Sequence, residues 1–328
     1  MTAVVLSLVV GWGIFLSQTS SNGLVVYCAH DAVYSEAVLR RFEQQTGIPV
    51  TIRFDTEATK SLSLVRMLLD EKDHPRCDVF WNNEQLGTME LQRAGALVAY
   101  KGSGFTRIPA PFKDPSGHWV GFAARFRVQI INTKCEPPPE FGELPEGLLD
   151  RVAIAKPLFG TTLTHYVRLW QEFGPEALKD WQRHALKQKL HLVPGNGRVM
   201  SLVADGICDY GWTDTDDFYV ALDDGKPVRM LPVRVQGKTI AIPNTVAIIR
   251  GTRKLTEAQK LVDFLLSEET ELALARSKSR QVPLGPVTAA LPADVDLMLP
   301  WLKTASDLSP LFEFREPCLR WLESENLP

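Results

Sequence analysis

The sequence predicts an α/β protein folded as two lobes joined by two crossing strands, a hinged clamshell. Three observations lead there. At 328 residues the chain is too long for one compact core and fits two lobes. Short apolar runs alternate with helical patterns, first over residues 24–95 and again over 152–204, the signature of parallel sheets with helices on their faces. Two longer apolar strands, at 125–131 and 240–249, stand where the chain leaves the first set and where it returns.

Each element has its reason. Leu24-Val25-Val26-Tyr27-Cys28 is apolar throughout, as a buried strand is. Residues 35–46 read as a helix, with Val38, Leu39 and Phe42 on one face and Gly47 as its stop. Residues 49–54 form the next strand, a helix runs to Leu69, and Asp78-Val79-Phe80-Trp81 is the third strand. Helix 85–94 ends at Gly95. A proline- and glycine-rich region, 109–145, holds the first crossing. Strand 152–155, helices 163–173 and 175–187, strand 190–193 and helix 198–204 build the second set. After strand 228–232 the chain returns through 240–249 to helices 256–267 and 268–277, and short helices close the surface. The division expected is residues 23–124 with 238–290 as lobe 1, and 125–237 with 291–328 as lobe 2.

Polar residues gather where strands end. His30-Asp31, Thr56-Glu57-Ala58-Thr59 and Asn82-Asn83-Glu84 each follow a strand of the first set. In a parallel sheet such ends share one edge and line one crevice. In the second set, Gly160-Thr161-Thr162 opens a helix with free N–H groups and hydroxyls, suited to an anion. The densest knot is Thr213-Asp214-Thr215-Asp216-Asp217, after a short apolar run. Three carboxylates within four residues repel one another unless they meet a helix N-terminus or a cation. An acidic helix cap is one reading and a ligand site the other.

Composition narrows the classes. The chain is 45% hydrophobic and 23% charged, with net charge −3. That is ordinary for a globular protein and carries no basic footprint for nucleic acid. From Ala3 to Leu16 no residue is charged, and small polar residues follow to Gly23. Residues 1–22 are therefore expected to be a signal peptide or membrane tether, although a basic start is missing. The five cysteines are far apart and show neither a metal spacing nor a disulfide framework. Cys28 ends one expected strand and Cys77 begins another, so if those strands are parallel neighbours the two sulfurs sit at opposite ends and cannot bridge.

At this point the residues resemble a known family. Val25–His30, FEQQTGIPV at 42–50, Phe54–Lys60, Asp78–Glu84, residues 196–206 and PNTVAII at 243–249 occur in the order found in the extracellular solute-binding proteins of ABC transporters. The similarity is to family 1, in its bacterial ferric-iron-binding branch. It implies the fold of type II periplasmic binding proteins. It also implies Fe³⁺ as the transported ligand, held with a synergistic anion. By position, His30 matches a metal ligand, and either Asn83 or Glu84 matches a second. Gly160, Thr161, Thr162 and Asn196 match the anion site, and Arg125 and Arg127 match family positions. One departure stands out: the branch places two adjacent tyrosines on the metal where this chain has Asp216-Asp217, with Tyr210 and Tyr219 only flanking.

The expected metal set is accordingly His30, Glu84, Asp214, Asp216 and Asp217, and the expected ligand set Thr56, Glu57, Thr59, Asn83, Arg125, Gly160, Thr161, Thr162, Asn196 and Thr213. The resemblance implies a monomer outside the cytoplasmic membrane, periplasmic or tethered, that captures ferric iron and delivers it to an ABC permease. A second reading keeps the clamshell and gives it a small organic anion, phosphorylated or aminated. A third makes it an enzyme, with paired carboxylates or with Cys28 or Cys208 as nucleophile. No ordered triad supports that third reading, and a non-enzyme is expected.

Overall fold

A computed structural model describes residues 23–55, 62–135, 144–325 and 327. The expected leader, 1–22, and the expected ligand residues Thr56, Glu57 and Thr59 lie outside them.

The first set of elements is β1 (Leu24–Cys28), α1 (Ala32–Thr46), β2 (Val50–Phe54), α2 (Leu62–Asp70), β3 (Val79–Asn82), α3 (Leu86–Arg93) and β4 (Leu97–Val98). β5 (Val120–Asn132) leads into the second: β6 (Val152–Ala155), α4 (Gly160–Phe173), α5 (Pro175–Lys187), β7 (His191–Val193), α6 (Asn196–Ala204), β8 (Tyr210–Asp214), α7 (Thr215–Asp223) and β9 (Val228–Pro232). A hairpin, β10 (Arg234–Val235) and β11 (Lys238–Thr239), precedes β12 (Ala241–Ile249). α8 (Leu255–Leu265), α9 (Glu268–Arg276), α10 (Ala293–Asp296), α11 (Leu299–Lys303) and α12 (Phe312–Ser324) follow.

β1 pairs in parallel with β2 and β3, and β6 pairs in parallel with β7 and β8. The expectation of two parallel blocks holds. What joins them is antiparallel: β12 lies between β3 and β5, and β5 lies between β12 and β8. β5 and β12 are therefore the two crossing strands, and every residue of both is buried. Their ladder slips between Pro243 and Asn244, so Ala123 is the extra residue of a bulge, at φ 42°. Asn244 holds that bulge by donating to the Phe122 and Ala123 carbonyls at 3.3 and 2.6 Å. A bulge bends and twists a strand, here at the place where the blocks meet.

The cores follow from the stripes. Leu39 and Phe42 of α1 are wholly buried, worth roughly 1.5–3 kcal/mol each as area removed from water. A second cluster gathers Ile154, Tyr166, Trp181 and Trp212 with Trp321 of α12. Leu86, at the start of α3, packs into that second cluster, so the blocks touch through their side chains as well as through the sheet. All five cysteines are free thiols, and all but Cys135 are buried. Small shifts separate expectation from observation. α1 begins at Ala32 and α4 at Gly160, each about one turn earlier than the buried stripe suggests, because the residues of the added first turn do not extend that stripe: Val33 is exposed, and Gly160-Thr161-Thr162 has no large apolar side chain.

Candidate functional site

Strand ends and helix starts converge on one cleft. Its walls carry Asp31 and Asn83 from the first block, Arg125 from β5, and Lys156, Phe159–Thr162, Gly195–Gly197, Asp214, Asp216 and Asp217 from the second. About 550 Å³ lies between them, counting space open to solvent. Three helices start here, at Gly160, Asn196 and Thr215, and no side chain caps any of the three. Their N-termini point the positive ends of three helix dipoles at the cleft. α6 sits close because Gly211 lies beneath it: a Cβ there would come within 2.5 Å of the Ala153 carbonyl and the Val199 side chain.

Asp214 is the hub of the floor. Its Oδ1 accepts from Arg127 Nη1 at 2.7 Å. Its Oδ2 accepts from Thr161 Oγ1 at 2.7 Å, Asn196 Nδ2 at 3.1 Å and Arg125 Nε at 3.3 Å. Asn196 also donates to Thr161 at 2.9 Å and accepts from Thr162 at 3.1 Å. Burial alone would raise the Asp214 carboxyl, but Arg127 and Arg125, with the Thr161 hydroxyl, outweigh it and hold it below the ordinary range. Arg125 spans the cleft floor: it donates to the Asn83 carbonyl at 2.9 Å on one side and reaches Asp216 at 3.9 Å on the other. Thr213 donates to Asp217 at 2.6 Å.

The acidic trio is real as geometry. One carboxylate oxygen from each of Asp214, Asp216 and Asp217 lies within 4.8 Å of the other two. A cation there would share Asp214 with two guanidinium groups, which oppose it. The other expected metal ligands stand apart. Glu84 is buried and caps α3 from within, accepting from the Leu86 and Gly87 amides at 2.6 and 2.7 Å. His30 lies against Trp81, ring centroids 5.6 Å apart. A chain of bonds fixes its role. The Trp81 indole only donates, and it donates to Asn244 Oδ1 at 3.2 Å. Asn244 Nδ2 therefore faces Gln281 Oε1, at 2.7 Å, and Gln281 Nε2 faces His30 Nε2, at 2.9 Å. The amide donates, so this ring nitrogen accepts, and its lone pair is already engaged.

The flanking tyrosines do not replace the missing pair. Tyr210 opens β8, at the end away from the cleft, and Tyr219 donates to the Asp294 carbonyl at 3.1 Å. Burial, with neighbouring carboxylates, pushes both phenols up to about 12. Burial also pushes the Cys28 thiol up to about 12 and the Cys208 thiol up to about 11, the reverse of an activated nucleophile.

Of the expected ligand residues, the structure brings together Asn83, Arg125, Gly160, Thr161, Thr162, Asn196, Asp214, Asp216 and Asp217, with Thr213 just behind Asp217. It adds Lys156, which the sequence reading did not single out. The signal was there: Lys156 directly follows β6, at the same strand edge as the other polar loops. Arg127, with Arg125, stands near the start of the long apolar strand expected at 125–131, and nothing in that placement says that Arg127 will be wholly buried.

Residues 24–277 match the model of a family described as bacterial extracellular solute-binding protein. Among solved structures, iron-bound HitA from Pseudomonas aeruginosa is 22% identical, with a TM-score of 0.78 over 93% of this chain and 99% of that one. AfuA from Actinobacillus pleuropneumoniae, with fructose-6-phosphate bound, is 20% identical, with a TM-score of 0.78 over 94% and 100%. An uncharacterized protein of Haemophilus influenzae is 24% identical over 296 residues, 84% of this chain and 82% of its own length. The fold expected from the sequence, a two-lobed clamshell of the type II periplasmic binding kind, is the fold these structures share with it.

Proposed function

The chain belongs to the bacterial extracellular solute-binding proteins, and from that premise we propose that it captures a small organic oxyanion, best a phosphorylated one, and hands it to an ABC permease. One observation carries the choice of ligand. Both oxygens of Asp214, the centre of the acidic trio, already accept from side-chain donors: Oδ1 from Arg127, and Oδ2 from Arg125, Thr161 and Asn196. The mouths of α4 and α6 beside it have no acidic residue in their first turns. Uncapped helix starts with hydroxyls and a buried guanidinium suit phosphoryl oxygens. Asp216 and Asp217 at the start of α7 suit hydroxyls or an ammonium at the far end of the same solute.

Ferric iron is the second reading, favoured by the 4.8 Å grouping of the three carboxylates. Hard oxygen ligands suit a hard cation. Against it stand the engaged His30 nitrogen, the turned Glu84 and the two phenols outside the cleft. In either case the work is closure. A solute touching both blocks gives the closed state contacts that the open state lacks, and the population shifts toward it. We place the protein outside the cytoplasmic membrane as a monomer, in accord with its family. No helix among the described residues is long and apolar enough to cross a membrane.

Native mass spectrometry with metal analysis, on protein purified from a periplasmic extract, tests the choice. An added organic mass without metal is the expected result. One equivalent of iron and no organic mass would overturn it. Asp216→Ala should weaken capture of the co-purified solute about tenfold or more while leaving the unfolding midpoint in place. Unchanged affinity would remove Asp216 from the site.

A further inference from the structure

We propose that Lys156 sets the charge of the anionic end of the solute, selecting a dianionic phosphoryl head over a monoanionic one. This rests on the oxyanion reading of the cleft and deepens it.

Four observations converge. Lys156 follows β6 and lines the cleft with Phe159, Gly160, Thr161 and Thr162 at the mouth of α4. α4 is fourteen residues long, has no side-chain cap and has no acidic residue in its first turn. Gly160 takes φ 57°, and nothing lies within 4 Å of where its Cβ would stand, so the backbone of that mouth is bare. Arg125, 4% exposed and lining the same cleft, has Nη1 without a hydrogen-bond partner. A buried guanidinium nitrogen left without an acceptor is costly unless a ligand oxygen meets it.

Electrostatics then separates the roles. The remaining nitrogens of Arg125 are committed: Nη2 to the Asn83 carbonyl, and Nε to Asp214. Arg127 is committed to Asp214 as well. Those two guanidiniums are spent on Asp214, with Arg125 also 3.9 Å from Asp216. The Lys156 ammonium, by contrast, enters no hydrogen bond or ion pair among the described residues. A helix mouth supplies about half a charge, enough for a monoanion. A second full positive charge at the same mouth favours a second negative charge on the guest. The ammonium is also a compact point charge on a flexible stem, able to follow a phosphoryl oxygen as the cleft closes.

The test uses two probes of the same tetrahedral shape, methyl phosphate and methyl sulfate, which differ by one charge at about pH 8. Calorimetric titration of the full protein should show methyl phosphate bound about tenfold tighter or more. Lys156→Met should bring the two within about twofold, and Lys156→Arg should keep most of the preference. Thermal unfolding of each variant checks that the fold is retained. Retention of the full preference by Lys156→Met would overturn the role of Lys156 and leave the oxyanion reading standing. Binding of neither probe to the wild-type protein would overturn both.

Discussion

Two arginine–carboxylate contacts, one on the floor of the cleft and one between α3 and α12, teach different things. On the floor, Arg127 and Asp214 meet at 2.7 Å with side chains 0% and 4% exposed. On the lip, where α3 of the first block faces α12 of the second, Glu90 and Arg315 meet at 2.9 Å with side chains 32% and 8% exposed. Arg93–Glu313 and Arg66–Glu323 extend the lip, both at 3.4 Å and both well exposed. The floor joins β5 to β8 within one continuous sheet. We propose that the lip joins elements that separate as the clamshell opens. Buried and shared charges on the floor fix a shape. Partly exposed charges on the lip, within reach of salt, adjust an equilibrium between shapes.

The largest expected effect comes from breaking the floor. Asp214→Ala leaves two buried guanidiniums facing each other and strips Thr161 and Asn196 of their shared acceptor. Losing one partner of a buried pair costs roughly 3–5 kcal/mol, to be read by urea unfolding at neutral pH. A loss below about 1 kcal/mol would mean that the network is solvated and that Asp214 is free for a ligand after all.

A gentler change sharpens the same point through pH. Asp214 is held below the ordinary carboxyl range in the folded protein. The unfolded chain therefore takes up this proton first, near pH 3.9. The stability Asp214 contributes is complete above that value and fades as the pH falls through the lower folded one. Asp214→Asn should flatten that acid limb below about pH 4 and leave the slope at neutral pH as it was. An unchanged acid limb would assign the limb to other carboxylates.

The sequence made the architecture legible because the information is local and periodic. The apolar run at 24–28, the stripe Val38-Leu39-Phe42 and the stop at Gly47 each specify their element without help from distant residues, and all three stand in the structure. The strand-end rule found most of the cleft wall for the same reason. What it could not supply is which way a side chain turns. Glu84 follows β3 as the rule requires, yet two free amides of α3 lie nearer than the cleft and take both its oxygens. His30 follows β1, but a bond chain running from Trp81 through Asn244 and Gln281, partners 51 to 251 residues distant, decides that its nitrogen accepts. Asp214, Asp216 and Asp217 look equivalent in the sequence. Only the buried arginines of β5 make one of them a structural hub and leave the other two at the helix start.

The smallest effect belongs to the lip. Glu90→Gln should change solute affinity by less than about fivefold, since partly exposed pairs contribute about 1 kcal/mol or less. That difference should vanish near 1 M salt, where the Debye length falls to about 3 Å. Small-angle scattering at low and high salt would show the solute-free protein shifting toward its open form as the lip is screened, while Asp214 on the floor is insensitive. Arg315 makes this the discriminating case. It is nearly as buried as the floor arginines, and it also lines a small recess with Glu84 and Gly160. If Glu90→Gln costs as much as Asp214→Ala, independent of salt, then Arg315 is a second fixed post between the blocks, and the lip is part of the frame rather than the latch.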